Sequence, residues 1–124
     1  MKIAISGSRM IDEKRFVIDS IAKSPFGWKN NTFLVGDSSG VDEIFLEYAS
    51  DRADIVVYEA DWNNFGNSAG PIRNRLMIDD ADALIAIWDG ESRGAKDTID
   101  KALRKPIETH VYIVDPQSKS LMDF

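Results

Sequence analysis

Five short apolar segments recur along the chain, separated by more polar stretches. Each is rich in isoleucine or valine and is apolar at both odd and even positions. That pattern is typical of strands buried on both faces of a parallel sheet, rather than strands with one face in water. The predicted strands are Lys2–Ser6, Thr32–Gly36, Asp54–Glu59, Ala83–Asp89 and His110–Asp115.

Helical periodicity fills the gaps between these strands. The clearest apolar stripe repeats at i, i+3, i+4, i+7 and i+8, on Val41, Ile44, Phe45, Tyr48 and Ala49. Three shorter stripes predict three more helices. They comprise Val17, Ile18, Ile21 and Ala22, ending near Pro25; Ile72 and Leu76, after Gly70 and Pro71; and Ala95, Ile99, Ala102 and Leu103, closed by Pro106.

Strands and helices therefore alternate, which predicts an α/β fold with right-handed crossovers. We expect a Rossmann-like three-layer sandwich whose five-stranded parallel sheet has the order 3-2-1-4-5. One domain should span residues 1–115, with a peripheral C-terminal tail at 116–124. Residues Asp61–Ser68 read as a polar loop, longer than a strand-to-helix turn needs, and such loops are often functional.

Composition agrees with a single globular domain. The 124 residues are 44% hydrophobic and 29% charged, which excludes a disordered acidic tail or a fibrous repeat. The formal net charge of −6 repels nucleic-acid backbones, so no nucleic-acid partner is expected.

The residue inventory narrows the chemistry further. The chain has no cysteine and one histidine, so thiolate and His-rich metal sites are excluded and no cofactor is expected, although carboxylate-bound Mg²⁺ stays open. The N-terminus does not resemble a signal peptide, and no apolar stretch approaches the roughly 20 residues that span a bilayer. We therefore expect a cytoplasmic protein that does not bind membranes.

The informative segments are those that follow the strands, because doubly wound sheets bind ligands at the carboxyl ends of their strands. Four of them combine glycine with serine, asparagine or arginine. Taken singly, each is explained as a turn or a helix cap. Together on one edge they favour a site for an anionic small molecule, since glycine and helix N-termini admit an anion. The four segments are Gly7–Arg9, Gly36–Gly40, Asp61–Asn74 and Asp89–Gly94.

Neither common nucleotide motif is present. The first turn lacks G-x-G-x-x-G, and G-x-x-x-x-G-K-[ST] occurs nowhere in the chain. An ordinary NAD dehydrogenase or P-loop ATPase is therefore disfavoured.

The order of these segments resembles the SLOG superfamily, Rossmann-like domains related to Smf/DprA and to the LOG nucleotide hydrolases. The similarity is greatest to the small YspA-like branch, and its most specific parts are Ala60–Trp62 and Ala69–Asn74. The resemblance implies binding of a phosphate-bearing nucleotide or nucleotide derivative, either ADP-ribose- or NAD-like or a nucleoside monophosphate. It also implies a homodimer, by analogy with LOG-type relatives.

Some LOG relatives cleave the N-glycosidic bond of nucleoside 5′-monophosphates, using a glutamate in P-G-G-x-G-T-x-x-E. Aligning Gly94 with the last glycine of that motif places Thr98 where the glutamate belongs. The resemblance thus implies a binding module, with a nucleoside 5′-monophosphate N-glycosidase as the alternative. Under that alternative the catalytic carboxylate is Asp42, Asp89 or Asp97.

Individual residues have competing interpretations. Arg73 is either a surface arginine or a phosphate ligand, and in both cases its loss should hardly change the stability of the free protein. Asp42 either stabilises the N-terminus of its helix by its negative charge or accepts hydrogen bonds from ribose hydroxyls. Trp62 either stacks on a base or covers the domain edge. The predicted ligand-binding residues are Gly7, Ser8, Arg9, Gly36, Asp37, Ser38, Ser39, Gly40, Asp42, Trp62, Gly70, Arg73, Asn74, Asp89, Gly90, Ser92 and Gly94.

Overall fold

A computed structural model describes residues 1–115 and the backbone of 121–123. The sheet contains β1 (Lys2–Gly7), β2 (Thr32–Gly36), β3 (Asp54–Tyr58), β4 (Ala83–Trp88), β5 (Glu108–Val114) and β6 (Leu121–Asp123). The helices are α1 (Lys14–Lys23), α2 (Val41–Ala49), α3 (Trp62–Phe65), α4 (Ala69–Asp80) and α5 (Arg93–Arg104).

The strand order is β3-β2-β1-β4-β5-β6, and the first five strands are parallel. The predicted α/β fold and its 3-2-1-4-5 order are therefore confirmed. The sheet also extends past residue 115, because Leu121–Asp123 pairs antiparallel with β5. Residues 116–120 and 124 of the predicted tail lie outside the described residues.

The sheet separates two apolar cores. Ile3 and Ile5 of β1 face the core shared with α1 and α2, whereas Ala4 faces the core under α4 and α5. The alternation follows from the pleat, since successive side chains point to opposite faces of a strand. Every residue from Ala83 to Ile87 is buried, as expected of a central strand.

The prediction that all five strands are buried on both faces is wrong for β3. Val56 and Val57 are 46% and 43% exposed. Among the described strands it pairs with β2 alone, so it lies at the edge of the sheet and the helix layers do not cover it fully. Its apolar sequence resembles that of a buried strand although its position is peripheral.

Predictions for four helical segments also need correction. In α4 the buried residues include Arg73, Asn74, Met77 and Ile78, while Leu76 of the predicted stripe is 49% exposed. The predicted stripe residues Ala22 and Leu103 are exposed as well. The segment Asp61–Ser68, predicted as a loop, forms α3 and a 3-10 turn, Gly66–Ser68.

The C-terminus of α4 is capped by a lysine from the end of α5. Lys105 Nζ donates to the carbonyls of Ile78, Asp79 and Ala81 at 2.9, 2.7 and 2.9 Å. The last carbonyls of a helix have no partner inside the helix, and a cation there also opposes the negative end of the helix dipole. Lys105 thus fixes α4 against α5 below the edge where the site lies.

We expect Lys105→Met, which keeps an apolar stem but removes the ammonium group, to destabilise the protein by about 2 kcal/mol. Chemical denaturation measures this loss. Lys96→Met is the matched control, because Lys96 forms an exposed i,i+4 pair with Asp100 on the same helix, a pair worth about 0.5 kcal/mol. Equal losses for both variants would contradict the capping role.

Candidate functional site

A cavity of about 490 Å³ opens at the carboxyl edge of the sheet. It lies above β1 and β2 and is enclosed by the first turns of α2, α4 and α5. All four glycine-containing segments contribute to its lining, so the predicted clustering on one edge is confirmed. The lining residues are Ser6, Gly7, Arg9, Gly36, Ser38, Asp42, Trp62, Gly70, Pro71, Arg73, Asn74, Met77, Ser92, Arg93, Gly94 and Asp97.

Small residues at the strand ends create this space. Ser6 of β1 and Gly36 of β2 both line the cavity, each two residues beyond Ala4 and Leu34 of the α4/α5 core. Because residues two apart in a strand share a face, larger side chains at these positions would fill the cavity. The sequence predicted Gly36 but not Ser6, which reads as part of the strand.

Gly36 allows two charged groups to approach the backbone closely. A Cβ atom there would lie 2.6 Å from Arg73 Nη1 and 2.7 Å from Asp42 Oδ2. Either distance is shorter than real Cβ contacts, so a side chain at residue 36 would displace the guanidinium or the carboxylate. The glycine is therefore required by the two charged groups beside it.

Arg73 is buried rather than on the surface, which corrects the prediction. Its side chain is 8% exposed, and Nη1 forms an ion pair with Asp37 Oδ1 at 2.6 Å. The other donors are also engaged: Nη2 with Ser38 Oγ at 3.2 Å, and Nε with Asn74 Oδ1 at 2.9 Å. Arg73 thus joins the β2–α2 loop to α4, and its charge is already paired within the protein.

A hydrogen-bond chain continues from Arg73 to α5. The Asn74 amide accepts from Arg73 through its oxygen and donates through Nδ2 to Asp97 Oδ2 at 3.1 Å. Asp97 in turn forms an ion pair with Lys101. The chain fixes the Asp97 carboxylate at the wall of the cavity.

Asp42 lies at the cavity floor and is only 6% exposed. Its Oδ2 accepts the backbone amide of Ser38 at 3.2 Å. Burial raises the pKa of the Asp42 carboxyl to about 6; the Ser38 hydrogen bond and the Arg73 charge lower the pKa but do not outweigh burial. Asp37 adds a smaller upward contribution to the same pKa. Neither of the two sequence-based interpretations of Asp42 predicted this burial.

Asp89 lies outside this cavity and lines a second one of about 280 Å³. Burial acts to raise the pKa of Asp89, but hydrogen bonds from the amides of Ser92 and Glu91 outweigh it and lower the pKa below its usual value. Asp89 thus caps the turn before α5. Of the three carboxylates considered for catalysis, only Asp42 and Asp97 share the main cavity.

Several other predicted residues support the cavity rather than line it. Ser8 is fully buried and its Oγ accepts the Asp89 amide at 2.9 Å. Gly40 has a φ of 75° and packs against the Ser8 and Arg9 carbonyls, a conformation and a proximity that favour glycine. The predicted residues absent from the lining are Ser8, Asp37, Ser39, Gly40, Asp89 and Gly90.

The rim of the cavity is open and carries positive charge. Arg9 and Arg93 are exposed. Gly94, in the first turn of α5, faces open space: apart from its chain neighbours and the backbone of its own helix, no described atom lies within 4 Å of the position that a Cβ atom would occupy there. Trp62 is 49% exposed and lies over Gly70.

Four lining residues were not among the predicted ones: Ser6, described above, and Arg93, Pro71 and Met77. Arg93 adjoins the predicted Ser92 and Gly94, and Pro71 adjoins Gly70, so position in the strand-end segments could have identified both. Met77 lies one helical turn beyond Arg73 and therefore on the same face of α4. The apolar stripe predicted Ile72 and Leu76 as the buried face instead, so this spacing did not identify Met77.

No protein-family model matches the chain, and no curated protein is significantly similar to it. Within the described residues, no group of three or more His, Cys, Asp or Glu side chains is arranged to hold a metal ion. In the same part of the chain, no helix has the length and apolar character to cross a membrane.

Arg73→Ala should destabilise the free protein by about 3 kcal/mol, because it leaves Asp37 without its cation and opens a buried space. Thermal and chemical denaturation measure the loss. Arg75→Ala provides the control, since Arg75 is exposed on the same helix and its loss should stay within about 0.5 kcal/mol. If Arg73→Ala has the same melting temperature as the parent, the buried network is not formed.

Asp42→Asn should stabilise the free protein at pH 8. The folded protein binds the Asp42 proton more tightly than the unfolded chain does, so stability falls as the pH rises from about 4 to about 6 and the loss is complete above pH 6. A shift from 3.8 to about 6 corresponds to about 3 kcal/mol, an upper bound for the gain.

The comparison is between melting curves of Asp42→Asn and the parent at pH 8 and pH 4. The stabilisation should disappear at pH 4, where the parent carboxyl is protonated too. Asp97→Asn should give no gain at pH 8, because Asp97 is paired with Lys101. A gain for Asp42→Asn that is equal at both pH values would disprove the role of the buried charge.

Proposed function

We propose that the cavity binds a phosphate-bearing nucleotide or nucleotide derivative, ADP-ribose- or NAD-like or a nucleoside monophosphate. The observation that carries the proposal is that four strand-end segments and three helix N-termini enclose one cavity at the carboxyl edge of the sheet. Doubly wound sheets bind ligands at this edge. A volume of about 490 Å³ is also within the range of small-molecule sites.

The rim supplies groups suited to a phosphate. Arg9, Arg93 and Gly94 all line the cavity, and the residues of the first turn of α5 have backbone amides without partners inside the helix. The positive end of the helix dipole favours an anion at that place. Because Arg73 is paired with Asp37, the rim is a better anion site than the interior.

The alternative is a nucleoside 5′-monophosphate N-glycosidase, favoured by the presence of Asp42 and Asp97 in the same cavity. An ionised carboxylate beside the ribose stabilises an oxocarbenium-like transition state, and hydrolysis needs at least one that is well placed. Thr98 does not supply it: its side chain is buried and its hydroxyl donates to the Gly94 carbonyl at 3.2 Å. Binding without turnover is therefore the leading proposal.

We expect AMP, ADP, NAD or ADP-ribose at millimolar concentration to raise the melting temperature of the protein. At a ligand concentration of about 100 times Kd the stabilisation is about 2.7 kcal/mol, on the order of 10 °C for a domain of this size. The same mixtures analysed by HPLC should contain almost no free base. Melting curves unchanged by all four nucleotides would contradict the proposal.

Gly94→Asp tests the anion site without disturbing the fold. The new carboxylate enters open space in the first turn of α5, where the helix dipole favours a negative charge. The free protein should therefore keep its stability, whereas the stabilisation by nucleotides should be lost because the carboxylate repels the phosphate. Gly94→Asn is the matched neutral control and should retain binding. Sustained release of base by the parent would instead establish the glycosidase, and Asp42→Asn and Asp97→Asn would then identify its carboxylate.

A further inference from the structure

The floor and the rim of the cavity differ in charge. Asp42 and Asp97 present carboxylate oxygens at the floor and wall, whereas Arg9 and Arg93 are at the rim. The charged groups around Asp42 are Arg73 from α4, Asp37 from the β2–α2 loop, Asp97 and Arg93 from α5, and Arg9 from the β1–α1 loop.

The buried Asp42 carboxylate has few hydrogen-bond donors to stabilise its charge. Within the described part of the chain it accepts one hydrogen bond, from the Ser38 amide. Arg73, the cation beside it across Gly36, directs its hydrogen bonds to Asp37, Ser38, Asn74 and the Tyr58 carbonyl. A buried carboxylate with two oxygens has room for further donors.

The other polar groups of the floor restrict what a ligand can bring. The Asn74 amide is engaged on both sides, by Arg73 and by Asp97. A phosphate at the floor would face Asp42 and Asp97 with Arg73 already neutralised by Asp37, which is repulsive. A neutral group with O–H donors on adjacent atoms would instead donate hydrogen bonds to the carboxylate oxygens that line the cavity.

We infer that the vicinal hydroxyls of a ribose bind at the floor, with ionised Asp42 accepting at least one of them, and that the 5′-phosphate points to the rim at α5. This inference rests on the proposed function and adds the orientation of the ligand and a specificity-determining residue. A ribose 5-phosphate unit carries a neutral diol at one end and an anion at the other, in keeping with the carboxylates of the floor and the arginines of the rim.

Binding should then be coupled to the loss of a proton. Because burial raises the pKa of Asp42 to about 6, part of the free protein carries a protonated carboxyl near that pH. A ligand that prefers the ionised form lowers the pKa, so its affinity rises with pH through about 6 and levels off above.

The test compares AMP with 2′,3′-dideoxy-AMP, which lacks only the two hydroxyls, by calorimetric titration between pH 5 and pH 8. At pH 8 AMP should bind about 10- to 150-fold more tightly, the effect of a hydrogen bond to a charged group. The ratio of the two affinities should fall by about tenfold at pH 5. Both probes carry the same phosphate, so its own titration near pH 6 cancels in the ratio.

Asp42→Asn should bring the ratio to within a few-fold of one at every pH, while 2′,3′-dideoxy-AMP binds as it does to the parent or more tightly. Asp100→Asn, a change on α5 outside the cavity lining, should keep the parent's ratio and its pH dependence.

Each other outcome is decisive. Equal affinities for the two probes at pH 8, or a ratio that is independent of pH and of Asp42, would overturn the inference and leave nucleotide binding standing. The same holds if AMP fails to bind although another nucleotide of the panel stabilises the protein. If no nucleotide of the panel stabilises it, the proposed function itself is wrong.

Discussion

The site depends on the absence of a side chain at residue 36. Arg73 Nη1 and Asp42 Oδ2 both approach the position that a Cβ atom would occupy, at 2.6 and 2.7 Å. Gly36 ends a buried strand, and each neighbour is held by its own hydrogen bond, Arg73 to Asp37 and Asp42 from the Ser38 amide. Displacing either group would break that hydrogen bond. The missing Cβ atom thereby allows a cation from α4 and an anion from α2 to approach the same strand end.

From this point the polar interactions extend outward through contiguous side chains. Arg73 contacts Asp37 and Ser38 on one side and Asn74 on the other. Asn74 then donates to Asp97, so three separate elements share one network. Such a network is strongly stabilising only when each member is satisfied, and within the described residues no buried side-chain nitrogen or oxygen lacks a partner. The cavity is consequently held in shape before any ligand arrives.

The sequence predicted the fold well where a local pattern has one structural meaning. Ala83–Ile87 is apolar at every position and entirely buried, and Val41, Phe45 and Ala49 of the predicted stripe are buried in α2. The pattern failed at β3, where Val56 and Val57 have the sequence of a buried strand but lie at an edge. Burial of a strand depends on whether it has neighbours on both sides. That is a property of the whole sheet, and the five residues of β3 do not reveal it.

The sequence predicted where the cavity lies but not the role of each residue around it, for related reasons. The carboxyl-edge rule located the glycine segments because it needs only the order of the strands. It did not predict whether a polar residue faces a ligand or another residue: Ser8 and Gly40 support the loops, and Asp89 caps a turn. The predicted buried face of α4 is wrong because the true buried face contains Arg73 and Asn74. A hydrophobicity pattern assigns such polar residues to the solvent-exposed face.

Arg73 shows why a charged residue in a glycine-rich edge is not by itself a phosphate ligand. Its partner Asp37 is thirty-six positions away in the chain, and no local pattern connects them. Once the two are paired, the guanidinium contributes hydrogen-bond geometry rather than net charge. In a protein of formal charge −6, attraction of an anion must then come from unpaired cations and helix N-termini at the surface. Exposure and pairing, rather than residue type, therefore decide which arginine has donors available for an anion.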